Sequence, residues 1–282
     1  MKITIQNQFL KAEINRRGAE LVSVEKDGKN FIWEIDENFW DKTSPVLFPV
    51  IGGLKGNTYE YQNKKYQLPR HGFARECDFE LVSKTEDSAV FTLKYSEEAL
   101  KVFPFKFTLS IKYYIIQNEL FIKYTVSNTS SERMYYSIGA HPAFAVRGNF
   151  QDYALEFDLT ENLTSHQLED HLFSGKTREV NLEGRILPLN YSLFENDAVV
   201  LKNSATSSLS LLKNNIPLLK VNFSQFPFLG IWTKKDAPFI CIEPWLGIAD
   251  SHHSTGKIEE KEGIQVLEPY AEQSFEWSVE FF

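Results

Sequence analysis

The sequence predicts an all-β protein, a large antiparallel β-sandwich with few short helices. Three observations carry that expectation. Polar and apolar side chains alternate with a period of two through many short segments. Turn residues separate those segments at short intervals. The composition is rich in side chains that suit a pleated, half-buried surface: 14% of the 282 residues are aromatic, with 23 Phe and 12 Tyr against two Met. The regular strand–helix alternation of parallel sheets is missing, so neighbouring strands are expected to pair through local hairpins.

The elements follow in chain order. Ile3 and Ile5 answer Phe9, Ala12 and Ile14 across Asn7-Gln8, which reads as an opening hairpin. Alternation recurs from Ala89 to Tyr95. Ser96 to Phe103 then reads as a short helix, with Ser96 as N-cap, Glu97 and Glu98 in the first turn and Pro104 beyond its end. The clearest hairpin pairs Phe107–Tyr113 with Leu120–Val126 across Gln117-Asn118, its Lys and Thr residues on one face. Further strands are expected at 209–212, 218–223 and 275–281, with turns at Asp27-Gly28, Asn63, Asn128, Gly148-Asn149 and Asn214-Asn215. No internal repeat and no Gly/Ser- or Pro-rich linker divides the chain. Residues 1–282 are therefore expected to form a single domain of two facing sheets.

Composition narrows the function. With 38 acidic and 30 basic residues the formal charge is −8, and no basic stripe offers phosphate neutralisation, which argues against a nucleic-acid partner. The longest apolar runs, such as Pro45 to Ile51, fall far short of the ~20 residues of a membrane helix, and Met1–Ile5 alternates where a signal peptide would be continuously apolar. Cys77 and Cys241 form no redox or zinc spacing, so a reducing cytoplasm is the expected location.

Three stretches interrupt the alternation with polar residues beside Gly and Pro: Leu68–Arg75, Gly139–Phe144 and Cys241–Trp245. Loops and sheet ends are where a sandwich carries chemistry. Of six histidines, His71 and His141 lie in these stretches, whereas His166 and His171 sit in a polar segment and His252-His253 lie between serines. A lone histidine is ordinarily a hydrogen-bonded structural residue; two in separate broken stretches read as a candidate acid–base pair. Glu243 follows an apolar strand, Phe239–Ile242, and precedes Pro244. A carboxylate at the end of a buried strand is either ion-paired or has a raised pKa. No metal spacing, phosphate-binding glycine loop or nucleophile elbow appears. What remains suits proton transfer on a polar, uncharged small molecule.

On the motifs Arg70-His71-Gly72-Phe73-Ala74-Arg75, Gly139-Ala140-His141-Pro142-Ala143-Phe144 and Phe239-Ile240-Cys241-Ile242-Glu243-Pro244-Trp245, taken in this order and spacing, the chain resembles the aldose 1-epimerase (galactose mutarotase-like) superfamily. The resemblance runs from the first hairpin to the last strand. It implies a large sandwich with an open cleft on one sheet, and interconversion of the α and β anomers of a hexose without a cofactor or metal. It further implies Glu243 as the base at the C1 hydroxyl, His141 as the acid at the ring oxygen, and His71 as a hydrogen-bonding stabiliser. Arg75 matches a family arginine on the sugar, and Asp197 resembles a sugar-binding aspartate. Trp232 is expected either to offer a flat face to the ring or to be a core aromatic.

In one place the chain departs from the pattern. Gly52-Gly53-Leu54-Lys55 stands where relatives commonly have Gly-Arg-Leu-Lys, and in the hexose-6-phosphate branch that arginine holds the phosphate. A phosphosugar would then need Arg70, Arg75 or Lys55 in compensation. The expected partner is a sugar, a hexose or hexose phosphate, with homodimerisation left open. The alternatives are a hexose-6-phosphate mutarotase and a non-catalytic carbohydrate-binding protein; a glycosidase would require Asp197 and Glu243 as its carboxylate pair.

Overall fold

The structure is a computed structural model that describes residues 1–160 and 162–282. Strand accounts for 52% of it and helix for 8%. The backbone of the fold is a nine-stranded antiparallel sheet whose centre is built from Ile216–Asn222, Glu272–Phe281, Glu119–Asn128, Phe107–Ile116 and Ser88–Lys94, in that spatial order. The hairpin expected at Gln117-Asn118 closes in register, Phe107 opposite Asn128 and Ile116 opposite Glu119. Its alternation holds along both strands: Phe107, Leu109, Ile111, Tyr113, Ile115, Leu120, Ile122, Tyr124 and Val126 are buried, and the residues that alternate with them face outward. Asn128 ends this strand because its side chain is spent on the next turn. Its amide donates to the carbonyls of Glu132, Leu267 and Glu268, and its oxygen accepts from Ser130.

A second sheet of six strands lies across the core. It runs Val199–Lys202, Phe228–Trp232, Phe239–Leu246, Ile138–Ala140 and Val46–Leu47, with Ala143–Ala145 also paired to Phe239–Leu246. Ile138, Leu201, Leu229, Ile231, Ile240 and Ile242 join the long strands of the first sheet in one apolar core. Where the sequence suggested two sheets, the chain forms a third at its N-terminus, Lys2–Gln6, Lys11–Asn15, Leu21–Lys26 and Lys29–Asn30, whose Ile3, Ile5, Ala12 and Ile14 feed the same core. Three two-stranded ribbons complete the fold; one of them, Leu163–Glu169 with Leu172–Val180, matters below.

The short helix is Glu97–Val102, with the Ser96 hydroxyl accepting from the Ala99 N–H at 3.1 Å. Among the described residues no helix is long and apolar enough to cross a membrane.

One expectation is corrected. Glu243 does not end its strand: Phe239–Leu246 continues through Glu243-Pro244, with Gly230 opposite Glu243 and Leu229 opposite Pro244. Proline is tolerated there because the strand on the other side is interrupted. Ala143–Ala145 pairs with 239–241 and Gly139 with Trp245, so 242–244 faces the break formed by His141-Pro142.

Candidate active site

Strand Phe239–Leu246 is buried along its whole length because both of its faces are covered. Ile240, Ile242 and Leu246 point into the sandwich core, while Phe239, Cys241, Glu243 and Trp245 point the other way. On that second face a cavity of about 230 Å³ opens, lined by Arg70, His71, Arg75, His141, Asp197, Trp232 and Glu243 among others. Every site residue singled out from the sequence therefore meets in one place. Trp245 floors the cavity by lying between two glycines on the flanking strands. A Cβ on Gly139 would stand 2.7 Å from the indole, and one on Gly230 at 2.5 Å.

Loop 68–75 delivers His71 in a left-handed conformation, φ 68°, locked by reciprocal bonds with Gly52. The His71 N–H donates to the Gly52 carbonyl at 3.0 Å, and the Gly52 N–H donates to His71 Nδ1 at 3.2 Å. A neutral His71 thus carries its proton on Nε2. Burial, then the Arg70 charge, holds its pKa well below the ordinary histidine value. His141 arrives at the break between two short strands and its Nε2 comes within 3.2 Å of Glu243 Oε2. Trp40 packs over its ring at 4.8 Å, Trp232 meets it edge-on at 5.7 Å, and His71 stands 5.9 Å away.

The electrostatics follow from dryness. Burial pushes the Glu243 carboxyl well above the usual carboxylate range; Asp197 adds to the rise and Arg70 opposes it. Burial, with Arg70 and Arg75 on the same side, pulls His141 down to about 3. Burial thus favours a neutral carboxyl beside a neutral imidazole over the ion pair, and as a coupled pair the two titrate together.

The cavity is also where hydrogen-bonding capacity is left unspent. Seven buried side-chain atoms of the described residues make no hydrogen bond, and five of them belong to cavity-lining residues: Arg70 Nε, Arg75 Nε, His141 Nδ1, Glu243 Oε2 and Trp245 Nε1. The His141–Glu243 approach is close but not aligned as a hydrogen bond, and His141 Nδ1 finds nothing beyond its own main chain. Buried polar groups are normally satisfied, at about 1–3 kcal/mol each when they are not. Such a cluster is what a polar ligand would complete.

Some placements differ from the sequence reading. Trp232 is both things weighed for it, a cavity wall and a partner in the aromatic cluster with Trp40 and Phe239. Lys55 is turned away, its ammonium on the Ser254 carbonyl at 3.3 Å, so it offers no compensating charge to the cavity. Arg70 and Arg75 do line it, with Arg75 Nη2 donating to the Arg70 carbonyl at 3.1 Å. His171, set aside as part of a polar segment, lies at the cavity mouth, 3.0 Å from Arg70 Nη1. Trp40 was missed altogether. It is placed by a turn at Asp36 and by Lys234, whose ammonium donates to the Asn38 and Phe39 carbonyls, and none of these residues forms a motif. His141, Cys241 and Glu243 offer donor atoms within 4.8 Å of one another, around the His141–Glu243 contact itself.

A family model described as aldose 1-epimerase matches residues 1–253. The chain is 32% identical to the chromosomal protein LacX of Lactococcus lactis subsp. lactis over 285 residues, covering 95% of each. A galactose mutarotase related enzyme from Lactobacillus acidophilus superposes with a TM-score of 0.95 at 32% identity, over 100% of this chain and 97% of that one. A galactose mutarotase-like protein from Lactobacillus casei gives 0.95 at 33% identity, over the full length of both. With the family model spanning most of the chain and the fold in agreement, the protein belongs to the aldose 1-epimerase family.

Proposed function

We propose that the cavity binds a hexose in its ring form and interconverts its anomers, with Glu243 and His141 as the proton-transfer pair. The observation that carries this reading is the clustering of unpartnered buried polar atoms around two adjacent titratable groups of opposite kind. Opening a hemiacetal ring removes a proton from the C1 hydroxyl and delivers one to the ring oxygen. Those two oxygens share one carbon, so the groups that serve them must be neighbours, as Glu243 and His141 are.

The proton count balances within the site. Starting from carboxylate and imidazolium, Glu243 takes the hydroxyl proton as C1 becomes a carbonyl. The bond from C1 to the ring oxygen breaks, and His141 gives its proton to that oxygen. The product state, neutral carboxyl and neutral imidazole, is the state that burial favours in the empty site. Rotation about the bond between C1 and C2 and reversal of the steps close the ring on the other face. His71, with its Nε2–H free, serves as a donor to the oxygen that develops charge, and Arg70 and the Trp245 indole favour the carboxylate form of Glu243. Proton transfer of this kind contributes about 10²–10⁴-fold per group.

A second reading, a hexose 6-phosphate as substrate, is favoured by two guanidiniums in the cavity wall whose Nε atoms make no hydrogen bond. Exchange NMR between anomers of glucose, galactose and their 6-phosphates separates the two. Acceleration above the buffer rate is expected for at least one pair, and the preferred pair assigns the substrate. Binding without acceleration would move the protein to the carbohydrate-binding class.

A further inference from the structure

His171 sits at the tip of the ribbon Leu163–Glu169/Leu172–Val180, where Asp170 and His171 take left-handed φ values of 51° and 66° and reverse the chain in two residues. The ribbon is tied to the body through its main chain. The Phe173 N–H donates to the Asp250 carbonyl at 2.8 Å, the Asp250 N–H to the Gly53 carbonyl at 2.9 Å, and the His252 N–H to the Phe173 carbonyl at 3.1 Å. Asp250 is itself pinned, its carboxylate paired with Lys261 at 2.7 Å and accepting from the Lys55 N–H at 2.9 Å. The tip passes so close to Gly53 that a Cβ there would stand 3.0 Å from the His171 carbonyl oxygen. The departure at Gly53 is therefore spatial: an arginine in that position would run into the ribbon.

At the tip, His171 Nδ1 is 3.0 Å from Arg70 Nη1 and 3.8 Å from Asp197 Oδ2. A guanidinium only donates, so the ring nitrogen facing it must accept, which fixes a neutral imidazole protonated on Nε2. The charged and titratable groups beside the ring are Arg70 and His71 from loop 68–75 and Asp197 before strand Val199–Lys202.

We propose that His171, accepting through Nδ1, is a positioning residue that holds the Arg70 guanidinium over the cavity for the sugar. The proposal rests on the reading of the cavity as a sugar site. Holding one end of the guanidinium leaves its remaining N–H groups, including the unpartnered Nε, aimed before the ligand arrives.

Imidazole ¹⁵N NMR on the ligand-free protein tests the geometry without any sugar. His171 is expected in the Nε2–H tautomer, and Arg70→Ala is expected to return it to a tautomer mixture. Steady-state anomerisation then tests the consequence. His171→Ala should raise KM about tenfold with kcat within about threefold, the scale of one charge-assisted hydrogen bond. His171→Asn, whose amide oxygen still accepts, should keep KM near wild type. An Nδ1–H tautomer, an unchanged tautomer in Arg70→Ala, or a KM in His171→Ala that stays at the wild-type value would each overturn the proposal. Should the wild-type protein accelerate no anomerisation, the mutarotase reading falls, while the tautomer and its dependence on Arg70 still decide this one.

Discussion

The two large sheets solve different problems with the same kind of strand. The nine-stranded sheet is made of long, regular strands such as Phe107–Ile116 and Glu119–Asn128, which bury one face and wet the other. The six-stranded sheet is made of short pieces, some only two or three residues long, and its central strand Phe239–Leu246 is buried on both faces. Regularity holds the sandwich together. Interruption at His141-Pro142, together with the turns at His71 and Asp197, lets polar side chains reach a dry surface that a continuous ladder would keep closed. The cost of that surface is visible in its unpartnered atoms, whereas the long strands pair their outward hydroxyls across the ladder, as Thr92 does with Ser110 and Thr125 with Ser274.

The sharpest way to test the division is to separate activity from stability. Glu243→Gln should lower kcat by about 10³–10⁴-fold while raising the melting temperature at pH 7 by about 5 °C. The sign of the second effect follows from the raised pKa. The unfolded chain releases the Glu243 proton near the ordinary carboxylate value of 4.5, whereas the buried carboxyl holds it to higher pH, so native stability is lost as pH rises above that value toward the folded pKa. Glutamine removes this penalty. A melting temperature that falls, in a variant that is equally inactive, would break the contrast.

On the other sheet the expectation reverses. Ile122, fully buried between Tyr113 and Trp277, supplies packing alone, and Ile122→Ala should cost about 2–5 kcal/mol in urea unfolding with kcat within about twofold of wild type. Gly139→Ala lies between these extremes. Its Cβ would press on the Trp245 indole and tilt the cavity floor, so a loss of about 10- to 100-fold in kcat/KM is expected with a native-like circular dichroism spectrum. The smallest effect is one of pH. Because burial pulls His141 down to about 3 and pushes Glu243 up, the kcat profile should show no limb at the ordinary histidine value, and its change with rising pH should follow the loss of the Glu243 proton above the usual carboxylate range. A kcat limb near 6.5 would show that His141 is solvated during turnover.

The same contrast sets what was legible in the sequence. Hairpins such as 107–116/119–128 are written in local alternation, and the helix at 97–102 in its cap and its proline, so both are found where expected. Glu243, His141 and His71 stood out as polar residues in apolar, Gly- and Pro-containing surroundings. Pro244, however, suggested a strand end that the break in the neighbouring strand makes unnecessary. Trp40 and His171 reach the cavity from segments with no pattern of their own, placed by Lys234 and by the docking of a ribbon on Gly53. Long-range packing of that kind leaves no periodic trace.

Strand 239–246 has one more consequence. Its even-numbered side chains at 240, 242 and 246 serve the core, and its odd-numbered ones at 239, 241, 243 and 245 serve the cavity side. Two interleaved messages share seven of the eight positions, all but Pro244. In a saturation scan of this stretch, cellular abundance and turnover should therefore fall on alternating positions, out of phase by one residue. Adaptation to a new substrate could then proceed along one register without drawing on the other.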